Sequence, residues 1–140
     1  MNKDKIKSHL LNSKTIAVVG FSNDKLKAAH TVPKYLTKFY DVIPINPNHK
    51  EIAGRESFPS VKDLDEYLNK TGKSLDIINV FRPSDQCLSI VQDIVEMKNK
   101  PKLIWLQLHI KNEEAKELAL QNNIEYIEDQ CIYVVHKDVI

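Results

Sequence analysis

Short apolar runs alternate along the chain with segments in which apolar residues recur every three or four positions. The runs are Thr15-Ile16-Ala17-Val18-Val19, Asp41-Val42-Ile43-Pro44-Ile45, Leu75 to Phe81, Leu103-Ile104-Trp105-Leu106 and Ile124 to Ile127. Continuous apolarity over this length predicts strands buried on both faces, as in a parallel sheet. The segments between them predict helices. Residues 3–12 place Ile6 and Leu10 on one face of a leading helix. Val32, Leu36 and Phe39 fall at helical spacing, with Pro33 read into a first turn, where its missing N–H is tolerated. Ser60 and Gly72 read as the start and stop of a further helix. Ser84 reads as the cap of a helix striped by Leu88, Val91 and Val95. Asn112 reads as the cap of one that carries Glu113 and Glu114 in its first turn. The tail from Asp129 reads as a last helical turn or two. Strand–helix alternation of this kind predicts an α/β fold: a small doubly wound, Rossmann-like parallel sheet of five strands, in the order 3-2-1-4-5.

In such a sheet ligands bind beyond the carboxyl ends of the strands, where the strand order reverses. Those ends carry Gly20-Phe21-Ser22, Asn46-Pro47, Phe81-Arg82-Pro83-Ser84 and Gln107-Leu108-His109. Gly20 allows a close backbone approach, and Ser22, Lys25, Lys27 and His30 follow it with donors that suit phosphate. The next glycine after Gly20 is Gly54, so neither the G-x-G-x-x-G of a dinucleotide fold nor the G-K-[ST] of a P-loop is present. Asn46-Pro47 stands where a nicotinamide cofactor site has an acid for the ribose. Phe81 and Arg82 read in two ways: a ring and a guanidinium for adenine and phosphate, or a buried strand end with a surface arginine.

Composition narrows the class. The chain has 140 residues, a length for one domain, with 42% hydrophobic and 28% charged residues. A net charge of +1 gives no field to attract nucleic acid or an anionic membrane. The charged start Met1-Asn2-Lys3-Asp4-Lys5-Ile6-Lys7 is not a signal peptide, and a cytoplasmic location is the expectation. Cys87 and Cys131 are expected to be free thiols. The histidines have no metal-type spacing, and no catalytic constellation stands out; Cys131 and His136, five positions apart, are expected to be a packed thiol and a surface histidine.

Five pieces in this order resemble the CoA-binding domain family, the small relatives of the domain at the N-terminus of the succinyl-CoA synthetase α subunit. They are Ile16 to Ser22, Val42 to Pro47, Asp76 to Arg82, Leu103 to Leu108, and Asp129-Gln130-Cys131-Ile132 followed by His136. The resemblance spans residues 13 to 136 and implies a single domain over 1–140, with 1–12 as a leading helix. It implies coenzyme A, or an acyl-CoA, as ligand, with Gly20 and Ser22 at its phosphates and Asn46, Pro47, Phe81 and Arg82 at the adenosine end. Phe21, Lys25 and Lys27 complete the expected site. Phe21 replaces the family's usual alanine, and its ring is expected to crowd the phosphate turn; Gln130 replaces a usual arginine. The expected role is binding without catalysis. An NAD(P)-dependent enzyme and a partner-binding subunit with a vestigial pocket are the alternatives.

Overall fold

The computed structural model describes residues 1–140. Its elements run α1 (Lys3–Asn12), β1 (Thr15–Val19), α2 (Ala28–Leu36), β2 (Asp41–Ile45), β3 (Glu51–Ile52), β4 (Arg55–Glu56), α3 (Val61–Thr71), β5 (Ile77–Val80), α4 (Cys87–Val95), β6 (Leu103–Leu106), α5 (Glu113–Gln121), β7 (Glu125–Ile127) and α6 (Ile132–Val139). The main sheet has five strands in the order β2-β1-β5-β6-β7, and all of its pairs are parallel. Outside β2, Phe58 forms a single parallel bridge with Ile45. Counted as a rudimentary third strand, that bridge gives the 3-2-1-4-5 pattern and β7 extends it. The run from Leu75 to Phe81 therefore occupies the fourth place, beside β1, while the third place is taken by Phe58, which has no apolar run around it.

Alternate side chains of each strand enter two cores. Ile16, Val18, Ile77, Leu103 and Trp105 meet Ile6 and Leu10 of α1, Val32 and Leu36 of α2 and Ile132 of α6. Ala17, Val19, Ile78, Val80, Ile104 and Leu106 meet Leu64 and Leu68 of α3, Val91 and Ile94 of α4 and Ala115 and Ala119 of α5. Burial on both faces is why the strands read as unbroken apolar runs. Pro44 is tolerated because β2 lies at the edge of the main sheet. The Asn46 N–H, two residues on, bonds outward to the Phe58 carbonyl at 2.9 Å, so the nitrogen of Pro44 faces that same outer side.

Several caps agree with the sequence. Ser60 accepts from the Asp63 N–H, Asn112 accepts from the Ala115 N–H, and Gly72 ends α3 at φ 72°. Ser84 does not cap α4. A short 3₁₀ turn, Ser84–Gln86, precedes that helix, and the Ser84 hydroxyl accepts instead from the Lys111 N–H at 3.0 Å. Helix α2 starts at Ala28, so Pro33 lies in its interior rather than in its first turn, and Phe39 falls beyond its end, 48% exposed. The β3–β4 hairpin was not expected from periodicity, because its strands are two residues long; its signal is the Ala53-Gly54 pair at φ 52° and 74°.

Candidate functional site

The strand order reverses between β1 and β5, because the chain leaves β1 for β2 on one side and returns to β5 on the other. At this point Gly20 meets Phe81 and Arg82. Gly20 has φ +86°, and a Cβ there would stand 2.7 Å from the Phe81 carbonyl oxygen and 3.0 Å from Arg82 Cδ. Only glycine combines that backbone angle with that approach. The Gly20 N–H donates to the Ile45 carbonyl at 2.9 Å and the Phe81 N–H to the Val19 carbonyl at 2.8 Å, which extends the strand pairing to the rim of the site.

The turn after Gly20 is tied on several sides. The Phe21 carbonyl accepts from Asn46 Nδ2 at 3.0 Å, and Asn46 Oδ1 accepts from the Asn48 N–H at 2.9 Å. Both polar atoms of Asn46 thus make a hydrogen bond within the protein, and tie the turn after Gly20 to the end of β2. The Ser22 N–H donates to the Ala29 carbonyl at 2.9 Å. The Ser22 hydroxyl accepts from the Asp24 N–H at 3.0 Å. His30, 7% exposed, lies with Nδ1 at 2.7 Å from the Ser22 carbonyl oxygen. A carbonyl can only accept, so Nδ1 carries the proton.

Phe21 departs from its expected place. Its ring is fully buried in the core on the α1–α2–α6 side and packs edge-on against His30, with ring centroids 5.6 Å apart. The ring points away from the site and does not crowd the turn; only the backbone of Phe21 belongs to it. Phe81 is half-buried against the same core, and Arg82 is exposed. The guanidinium donates through Nε and Nη2 to Gln86 Oε1, at 3.1 and 2.9 Å. Lys25, Lys27 and Pro47 are exposed in the neighbouring loops. Lys25, Lys27 and Arg82 take part in none of the seven ion pairs, so their charges are free to meet an anion.

Sequence reasoning overlooked a buried polar seam behind the same sheet end. Asn79, fully buried in β5, donates through Nδ2 to the Trp105 carbonyl at 3.1 Å and to Gln107 Oε1 at 3.3 Å. The same Gln107 oxygen accepts from the Ile132 N–H at 2.9 Å, and so caps α6, whose own cap residue Cys131 supplies no side-chain bond. Asn79 Oδ1 has no partner. The one signal was an asparagine inside the run Ile77-Ile78-Asn79-Val80.

Cys131 and His136 do not form a pair. His136 is 1% exposed, not a surface residue, and its Nδ1 lies 2.7 Å from the Tyr35 hydroxyl among the rings of Phe39 and Tyr40. Burial pulls its pKa below the usual histidine value. Cys87 is buried and free, and burial, with the charges of Asp85 and Glu128, pushes its thiol up to about 11. Cys131 is free and half-buried. No helix is long and apolar enough to cross a membrane, and no cluster of side chains suits a metal ion. A recess of about 460 Å³ lies between α1 and α6, lined by Ile6, Gln130 and Val135 among others.

The model of a CoA binding domain matches residues 14–137. The chain belongs to this family. It is 34% identical over 136 residues to protein YneT of Bacillus subtilis (strain 168), covering 96% of this chain and 94% of that protein. Among solved structures it is similar to cell-free ID.343 from Thermus thermophilus, with a TM-score of 0.88 and 31% identity over the whole of both chains. It is also similar to part of the dinucleotide forming acetyl-coenzyme A synthetase 1 of Ca. Korarchaeum cryptofilum, in complex with phosphate and ADP. That likeness has a TM-score of 0.66 and 25% identity, and covers 85% of this chain but 26% of the synthetase chain. The shared part is the α/β unit described above, and the remainder of the synthetase has no counterpart here.

Proposed function

We propose that this chain is a binding module for coenzyme A or an acyl-CoA, without catalysis of its own, and that residues 1–140 act as one domain led by α1. The observation that carries the reading is the packing of Gly20 against Phe81 and Arg82 at the strand-order reversal, within a chain of the CoA binding domain family. This is where a doubly wound sheet binds nucleotides. The Ser22 hydroxyl, with Lys25, Lys27 and Arg82, supplies donors and positive charge for the diphosphate and the 3′-phosphate, at the turn formed by Gly20 and the Phe21 backbone. Phe81 and Pro47 flank the adenosine. NAD is disfavoured, because the position after β2 holds Asn46, whose amide is engaged with Phe21 and Asn48, and no acid for the ribose.

Calorimetric titration with CoA, acetyl-CoA and NAD tests this reading. CoA or its acyl form should bind more tightly than NAD. A charge-assisted contact to phosphate contributes about 1.5–3 kcal/mol, so Arg82→Ala should weaken CoA binding roughly tenfold or more. Arg82→Lys, which keeps the charge and loses the planar fork, should fall between the two. Both changes should leave the fold intact, since the guanidinium hydrogen-bonds only to Gln86, at the surface. Equal affinity for CoA and NAD, or full CoA affinity in Arg82→Ala, rules the assignment out.

A further inference from the structure

Pro33 leaves one carbonyl of α2 free for Ser22. In an unbroken helix the Ala29 carbonyl would accept from the N–H four residues later, but that residue is Pro33, which has none. The Ala29 carbonyl accepts from the Ser22 N–H instead, at 2.9 Å. One helical turn holds a second tie, since His30 donates from Nδ1 to the Ser22 carbonyl at 2.7 Å. The N–H and the C=O of Ser22 are thus both fixed by α2. No peptide bond in the chain is cis, so the N–H of the next residue, Asn23, points opposite to the Ser22 carbonyl. That carbonyl faces a buried histidine, and the Asn23 N–H therefore faces outward; Asn23 is exposed.

We propose that Pro33 and His30 are positioning residues of the anion site: together they lock Ser22 so that the Asn23 N–H is presented to a phosphate of the ligand. The inference rests on the CoA reading above and adds to it the donor and the device that aims it. A proline in a helix interior costs stability. Here the carbonyl it releases is used to preorganise a binding turn, and preorganisation raises affinity by removing the ordering cost from the binding step. His30 acts through the turn and need not touch the ligand.

Nitrogen-15 NMR of the whole chain, titrated with CoA, tests the proposal. The Asn23 amide should be among those that move most. His30 should report a protonated Nδ1, as its contact with a carbonyl oxygen requires. His30→Leu should weaken CoA binding about fivefold or more, while His30→Asn, whose amide can take the place of Nδ1–H, should stay within about twofold of wild type. Pro33→Ala restores an N–H that competes for the Ala29 carbonyl, so it should leave thermal stability equal or higher and yet lower CoA affinity. A merely structural role would move stability and affinity in the same direction. If His30→Leu fails to fold, the wild-type titration and Pro33→Ala carry the test. CoA binding that leaves the Asn23 amide unmoved, or full affinity in Pro33→Ala, overturns the proposal and leaves the CoA reading standing. A CoA titration that moves no resonance at all removes both.

Discussion

Between Gly20 and Phe81 there is room for a hydrogen but not for a methyl group, because a Cβ on Gly20 would stand 2.7 Å from the Phe81 carbonyl oxygen. That oxygen belongs to backbone fixed at the end of β5 and cannot swing aside. Gly54 is the natural control: its φ of +74° is similar, but nothing lies within 4 Å of a Cβ there. Gly54→Ala should therefore cost only the conformational term, about 1–2 kcal/mol. Gly20→Ala should cost clearly more, and should also part β1 from β5 at the site. Urea unfolding of the two variants compares them directly; equal losses would mean that the approach to Phe81 is not tight.

Phe21→Ala separates a core role from a site role. Were the ring crowding the phosphate turn, its removal would leave stability alone and improve binding. The ring is instead fully buried beside His30. Its deletion should cost roughly 3–5 kcal/mol and loosen the His30 tie to Ser22. Phe21→Leu, which keeps more of the volume, should cost less. Thermal unfolding measures both, and a Phe21→Ala protein as stable as wild type would contradict the burial.

What the sequence made legible, and what it did not, follows from the range of the forces involved. Strands and caps were readable because burial on both faces and local capping leave marks within a few residues, as at Ile16 to Val19 and at Ser60 and Asn112. That Gly20, Asn46, Phe81 and Arg82 gather at one rim of the sheet was readable, since they end separate runs. The internal wiring of the site was not. Whether the Phe21 ring points into the core or the cleft depends on the orientation of two successive peptides, which are held by Asn46 and His30 from outside the turn. The meaning of Pro33 depended on where α2 begins, and helix starts without a side-chain cap, such as that at Lys27, leave little signal. Phe58 takes its strand place through a single bridge, too short for any period to show.

His136 should make stability depend on pH in a defined window. Burial lowers its folded pKa below the ordinary value of 6.5, so the unfolded chain takes up a proton first. Stability is then unaffected by this group above that value, and is lost as pH falls from it toward the folded pKa. Asp65 and Glu125 act lower down. For each, burial raises the pKa but is outweighed, by the Lys98 and Asn99 amides at Asp65 and by Lys5 and His9 at Glu125. Both carboxyls end below their ordinary values, and their stabilisation is lost only in the carboxylate range. Denaturant unfolding of wild type and His136→Gln at pH 7.5 and 5.5 isolates the histidine. The wild type should lose more stability over that interval than the variant, and parallel losses would assign the effect elsewhere.

Gln107 and Asn79 give the sharpest test of the buried polar seam. The Gln107 oxygen is the only side-chain acceptor at the start of α6, and it accepts from the buried Ile132 N–H at 2.9 Å and from Asn79 Nδ2 at 3.3 Å. Gln107→Leu would strand the Ile132 N–H and leave Asn79 with the Trp105 carbonyl alone. An unsatisfied buried donor costs about 1–3 kcal/mol, so this variant should be destabilised by that order. Asn79→Leu is different. It removes an oxygen that already lacks a partner, keeps nearly the same volume, and leaves Gln107 on Ile132. Its cost should be smaller than that of Gln107→Leu. With both residues replaced, Asn79 no longer has a donor to lose, and the double variant should lose less than the sum of the single losses. Urea unfolding of the four proteins, with similar denaturant slopes, measures the coupling; strictly additive losses would show that the two amides do not act as one network.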